Sequence, residues 1–246
     1  MKLLFVFLSH FLFFVSYSIY SADISIGLEG GKYESVYDSN QHDLWVLPYI
    51  GYESEYFYID GTEAGFYIVN SETQKLKLKG FYYMTEFESK HAETASLKQL
   101  NDRHDAIILG LSNAYITPYG AINAELGFDT FNGSHGLVGN FSYIGMINYK
   151  AFSLLPELGM NIMSAKHTRY YYGVSQQESE RTGLALWQPN YSIVPYLQFS
   201  GNYSFTNSLN IWGAFTGRFF PSAIRNSPMV SKNTTIELTI GFSYTL

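Results

Sequence analysis

The closing stretch of the chain, Thr235–Leu246, reads TIELTIGFSYTL. Ile236, Leu238, Ile240, Phe242, Tyr244 and Leu246 share one face, and Glu237, Thr239, Gly241, Ser243 and Thr245 share the other. Strict alternation over that length is the period of a β-strand, not of a helix. The apolar face suits either a protein core or lipid, and periodicity does not separate the two. Length does. A tilted strand crossing a bilayer needs about 9–11 residues, whereas soluble strands centre on about 5–6. The stretch also carries an aromatic third from its end, and much of the chain repeats its pattern. It reads as the closing strand of an antiparallel transmembrane β-barrel.

Working outward, the sequence reads as strands separated by turns, with no convincing long helix. Ile24–Lys32 alternates like the closing strand and leads through a charged loop into Leu44–Tyr52. Pro48 lies within that second strand and lacks a ladder donor, so a local bulge or distortion is expected there. Tyr56–Val69 contains Asp60-Gly61, a strong turn signal, and each half is short for a full crossing. Leu76–Phe87 follows, and then the polar insertion Ser89–Asp105. The second half holds three hairpins: Ala106–Thr117 with Gly120–Thr130, Leu137–Tyr149 with Phe152–Lys166, and Tyr191–Phe205 with Leu209–Phe220. Short turns alternate with longer segments at 131–136, 167–190 and 221–233. Outer-membrane barrels show that pattern, with short periplasmic turns and longer extracellular loops. Both termini then lie in the periplasm, so the strand number is even. Bending Tyr56–Val69 into a hairpin favours twelve strands; reading it as one strand leaves ten.

Composition bounds the class. The chain has 246 residues and no cysteine, so disulfides and thiolate metal sites are excluded. Twenty-two tyrosines and 19 phenylalanines exceed what a core requires, and such rings favour the membrane–water interface. A net charge of −6 argues against nucleic acid as a partner. Lys2, the apolar run Leu3–Val15 and the small residues that follow have the layout of a signal peptide over residues 1–22. Residues 23–246 then form the barrel, an exported protein in contact with outer-membrane lipid.

Glu157, Asn161, Gln198, Asn202, Asn210, Arg218 and Glu237 each lie opposite the apolar face of their strand and are the lumen-facing candidates. Polar side chains can largely fill the interior of a barrel this size, so a small or plugged lumen is expected. Catalytic motifs are weak. Ser134 sits beside His135 in Asn132–Gly136, but neighbours on a strand point apart, and the glycine-rich setting reads as a loop tip. Asp102-Arg103-His104-Asp105 reads as a solvated loop segment rather than an aspartate–histidine site. His104 and His135 lack metal-ligand spacing to any partner, and no cofactor is called for. Leu184, Leu186 and Trp187 within Ser179–Asn190 fit a partner-binding patch, an interfacial anchor or a loop folded over the mouth.

Three stretches resemble the MipA/OmpV family of outer-membrane proteins: Val46-Leu47-Pro48-Tyr49-Ile50, Tyr170-Tyr171-Tyr172-Gly173-Val174-Ser175 and Ser227-Pro228-Met229-Val230. Their order and spacing run across almost the whole mature chain. The family takes its name from an interaction with the murein-degrading transglycosylase MltA. The resemblance implies a non-enzymatic barrel that scaffolds murein enzymes, with a lytic transglycosylase and a murein synthase as partners. It carries over no catalytic residue. A narrow channel, an uptake barrel and a surface adhesin are the alternative roles.

Overall fold

The computed structural model describes residues 23–246 apart from 40, 41, 86 and 132. Residues 1–22, read above as a signal peptide, lie outside the described residues. The chain runs β1 (Asp23–Glu34), β2 (His42–Glu53), β3 (Phe57–Asp60), β4 (Glu63–Asn70), β5 (Gln74–Tyr83), β6 (Ala106–Thr117) and β7 (Gly120–Phe131). It continues with β8 (Leu137–Gly145), β9 (Ile147–Tyr149), β10 (Phe152–Met163), α1 (Ala165–Tyr172), α2 (Gln176–Thr182), β11 (Ser192–Ser204), β12 (Leu209–Phe219), α3 (Ser222–Arg225) and β13 (Thr234–Thr245).

Each strand pairs antiparallel with its sequence neighbour, and β13 closes the sheet on β1 from Ser25↔Thr245 to Tyr33↔Glu237. β8 and β9 both pair with β10, end to end, as one wall strand interrupted at Met146. The thirteen segments therefore make a twelve-strand barrel, and the ten-strand alternative is excluded.

The facing follows the alternation. Along β13 the even-numbered residues from Ile236 to Tyr244 are exposed, and the odd-numbered ones from Thr235 to Ser243 are buried. Isoleucine, leucine and phenylalanine outside with glutamate, threonine and serine inside is the inverse of a soluble protein. Lipid resolves the inversion. Exposed Tyr56, Tyr119, Tyr149, Phe205 and Tyr244 cluster at the short-turn end, where amphipathic rings suit the membrane interface. Among the described residues no helix is long and apolar enough to cross a membrane.

Two sequence expectations meet a different outcome. β1 and β2 keep one unbroken register from Asp23↔Glu53 to Glu34↔His42, so Pro48 creates no bulge. The register shifts instead at Tyr67/Val69 and Ile107/Ile108. Strand β10 ends at Met163 rather than running to Lys166, because Ser164 caps α1 by accepting from the His167 amide.

Asp60-Gly61 does turn the chain. Asp60 pairs with Glu63 across a two-residue connection whose Gly61 has φ +56°, a conformation glycine adopts without strain. The β3–β4 hairpin is short, and β2 meets β3 only over Gly51–Glu53.

Candidate functional site

The barrel holds two features with functional potential, a polar interior and a folded cap over its extracellular mouth. Within the interior, Lys79 Nζ lies 2.7 Å from Glu63 and 2.6 Å from Glu125, and the Tyr58 hydroxyl donates to Glu63. A second knot surrounds Glu157. It accepts from the Tyr196 hydroxyl, and Gln198 Nε2 approaches it at 3.4 Å. Asn140 Nδ2 donates to both Tyr196 and Asn161, while Thr216 donates to Gln198. Arg218 and Glu237 form a third, at 2.6 Å, with the glutamate 1% exposed.

The seven candidates named from sequence thus occupy distinct places. Glu157, Asn161 and Gln198 share one network, and Arg218 pairs with Glu237 from the neighbouring strand. All five line one cavity of about 130 Å³. Asn210 accepts from Ser204 near the periplasmic end, and Asn202 Oδ1 is buried without a partner in the described residues. Ligand pockets usually hold about 300–1,000 Å³, so this interior is narrow. The Lys79–Glu63–Glu125 cluster was missed from sequence. Its lysine sits in a run, Lys75, Lys77 and Lys79 at period two, that signals one face of a strand but not which side of a barrel wall.

The cap gathers four long connections around one apolar core. Val36 and Tyr37 come from the first, Phe87, Ala92, Leu97 and Leu100 from the second, Tyr171, Tyr172 and Val174 from the third, and Ile224 and Met229 from the fourth. Polar ties fix it. Tyr37 donates its hydroxyl to the Tyr171 carbonyl, and Tyr171 donates to the His104 carbonyl. Trp187 Nε1 donates to the Ala223 carbonyl, so the Ser179–Asn190 segment folds over the mouth, with Leu184 packed on the core and Leu186 exposed.

Arg103 is buried in this cap. Its guanidinium reaches Glu178 at 2.8 Å and the carbonyls of Asn101 and Gly173. Glu178 in turn completes a capping box with Ser175 at the start of α2. Burial alone would raise the Glu178 pKa, but the Ser175 amide and Arg103 outweigh it and hold the carboxyl below its ordinary value. Its stabilising effect is present above the unfolded carboxyl pKa and lost as pH falls through the lower folded value. Asp102 accepts from the Ser89 amide and hydroxyl, and Asp105 from Tyr82. The Asp102–Asp105 stretch is therefore dispersed into separate structural ties rather than a paired acid–histidine site.

Ser134 does find a histidine, but not its neighbour. His135 is exposed at φ +50°, whereas Ser134 Oγ lies 2.9 Å from Nδ1 of His167 and 2.7 Å from Asp129. His167 stands thirty-three positions away, on α1. The order is Asp–Ser–His, with serine between the other two. An activated nucleophile needs histidine in the middle, taking the serine proton on one side and held by the acid on the other. Here the hydroxyl is spent on Asp129, and all three side chains are buried. The trio clamps the turn over 133–136 to α1.

Burial pushes the His167 pKa down to about 3. The sign is clear: the unfolded imidazole takes a proton near 6.5, the folded one only near 3, so stability falls as pH drops between them. The expected slope is about 1.4 kcal/mol per pH unit at most. Chemical unfolding of the protein in vesicles from pH 7 to pH 4 checks it, with His167→Phe expected to flatten the curve. An unchanged slope in that variant would remove His167 as the cause.

The chain is similar to known proteins along most of its length. The family model described as MltA-interacting protein MipA matches residues 26–246. The MltA-interacting protein of Escherichia coli (strain K12) is 31% identical over 220 residues, 89% of each chain. The 24 kDa outer membrane protein of Pasteurella multocida (strain Pm70) is 24% identical over 240 residues, covering 90% of this chain and 89% of the relative. Among solved structures, an outer membrane channel from Pseudomonas putida F1 aligns with TM-score 0.47 at 6% identity, over 93% of this chain and 97% of that one.

Proposed function

The chain belongs to the MltA-interacting protein MipA family, and from that premise we propose that it is a non-enzymatic scaffold of the outer membrane. Its partners are a lytic transglycosylase and a murein synthase, held at the periplasmic turns and rim. The observation that carries this reading is the filled, capped barrel. Ion pairs and hydrogen-bonded knots occupy the narrow interior, and a folded core covers its extracellular mouth. The periplasmic side presents a ring of turns carrying exposed Tyr119 and Tyr149, aromatic anchors of the kind protein interfaces favour.

Pull-down from detergent-solubilised envelopes tests it. A transglycosylase and a synthase should co-purify with the wild type and be lost when Tyr119 and Tyr149 are changed together to serine. Recovery of neither enzyme with the wild type would end the scaffold reading. The lumen supplies a second check. Reconstituted wild type should show little steady conductance, and Arg218→Ser, which removes the long partner of Glu237, should admit ions while partner recovery persists. Stable, ion-selective conductance of the wild type that Arg218→Ser alters would favour a narrow channel instead.

A further inference from the structure

The barrel wall is incomplete on one side. Above the short β3–β4 hairpin, residues 42–50 of β2 have no strand partner among the described residues on the edge away from β1. At the hairpin tip β2 and β5 stand three strand spacings apart, roughly 14 Å at about 4.8 Å each. The Gly61 amide donates to the Ile50 carbonyl, so the peptide groups of the even-numbered residues of β2 face this edge. Pro48 is one of them. Its missing N–H therefore points into the breach, where no ladder could use it, which is why a mid-strand proline leaves the β1 register intact.

Exposure marks the same place independently. Outward residues of the fully paired strands reach 67% exposure at Ile240, and Leu44 on β2, at 78%, exceeds them. Val46 stands opposite Gly30, and Gly30 opposite Ile240 in the middle of the β13 lipid-facing row. The breach thus runs from the outer rim down to membrane depth. Behind it lies an apolar cluster of Trp45, Leu47 and Met84, with Tyr33 and Tyr82 packed against it. Tyr33 and Met84 also line the interior cavity. Trp45 Nε1 is buried with no acceptor in the described residues.

We propose that this breach is a lateral site for the hydrocarbon chain of an outer-leaflet amphiphile, which enters between β2 and β5 and lies against Trp45, Leu47 and Met84. The occupant follows from the surroundings. The unpaired edge faces lipid, its outward side chains Leu44, Val46 and Ile50 are aliphatic, and the buried cluster behind it is apolar. The indole N–H offers one donor to an ester or carboxyl oxygen at the head of the chain. The folded cap leaves the wall, not the mouth, as the way in. This site is separate from the periplasmic turns and stands whether or not they bind murein enzymes.

Trp45 and Trp212 make the test internal, since both point inward at 4% exposure, but β12 is paired on both edges while β2 is not. Full-length protein is refolded into phosphatidylcholine vesicles with or without bromine at mid-chain, and folding is confirmed by the heat-dependent gel shift. Trp212→Phe leaves Trp45 reporting and Trp45→Phe leaves Trp212, with Trp187 a constant background in the cap. Brominated chains should quench Trp45 roughly twofold, as they would a lipid-facing indole, and leave the lumen-facing Trp212 nearly unchanged. Should Trp45→Phe fail to fold, subtracting Trp212→Phe from wild type gives the Trp212 contribution. Equal quenching of the two indoles, or none at Trp45, would overturn the proposal. The latter result is also what a second copy sealing the β2 edge would give.

Discussion

Glutamine in place of Glu178 should cost the cap about 3–5 kcal/mol and open the extracellular face to protease, because it strands a buried charge. Arg103 and Glu178 side chains are 7% and 3% exposed, so water cannot replace the lost carboxylate. Glu178 also binds the Asn101 amide and closes the Ser175 capping box, tying the second long connection to the third. Breaking it should loosen the cap without opening the barrel, whose ladders lie below. Limited proteolysis of vesicle-inserted protein should cut the variant within 84–105 or 164–191, while its unheated gel mobility stays that of a closed barrel. The double change Arg103→Met/Glu178→Met should restore much of the resistance, since a well-packed apolar pair carries no desolvation cost. A Glu178→Gln protein as resistant as wild type would show that the pair does not hold the cap.

Arginine at Ile240 should be the most damaging change on the outer wall, about 2–4 kcal/mol if this residue lies at the bilayer midplane. Ile240 is 67% exposed and flanked by Gly30 and Gly213, so lipid is its main neighbour. The decisive feature is gradation. Arginine at Ile236, near the rim, should cost only about 0–1 kcal/mol, because a long side chain there reaches the interface. Thr239→Val on the inner face should be neutral or slightly stabilising, since the Thr239 hydroxyl is buried without a partner in the described residues. Denaturant unfolding from vesicles measures all three. Equal cost for arginine along the outer row would mean that a protein surface, not a bilayer, covers it.

Sequence carried the wall further than its contents. Alternation in Thr235–Leu246 and the Asp60-Gly61 turn were enough for twelve strands, because period and turn chemistry are local. Pro48 shows the limit. A missing donor disturbs a ladder only where the adjacent edge has a partner, and the shortness of β3 decides that from elsewhere in the chain. Ser134 shows it again: its histidine arrives on α1, thirty-three residues on, while the adjacent His135 points to solvent. The Tyr170–Tyr172 stretch signalled the family, but its burial against Tyr37 and Phe87 required loops from four parts of the chain to meet.

That meeting sets an order of events. Tyr37 and Tyr171 are separated by 134 positions, and Tyr37 also bridges to Val230, so the cap unites segments distant in sequence. Loop-closure entropy makes such contacts costly until the strands beneath have brought their ends together. β1 cannot meet β13 until the final strand has been delivered, and the Tyr37–Val230 bridge lies directly above that seam. The cap is therefore the last part of the molecule to solidify, and a newly inserted barrel passes through a stage in which its ring is shut but its crown is still loose. How long that stage lasts fixes the interval in which a surface protease can tell a young molecule from a mature one.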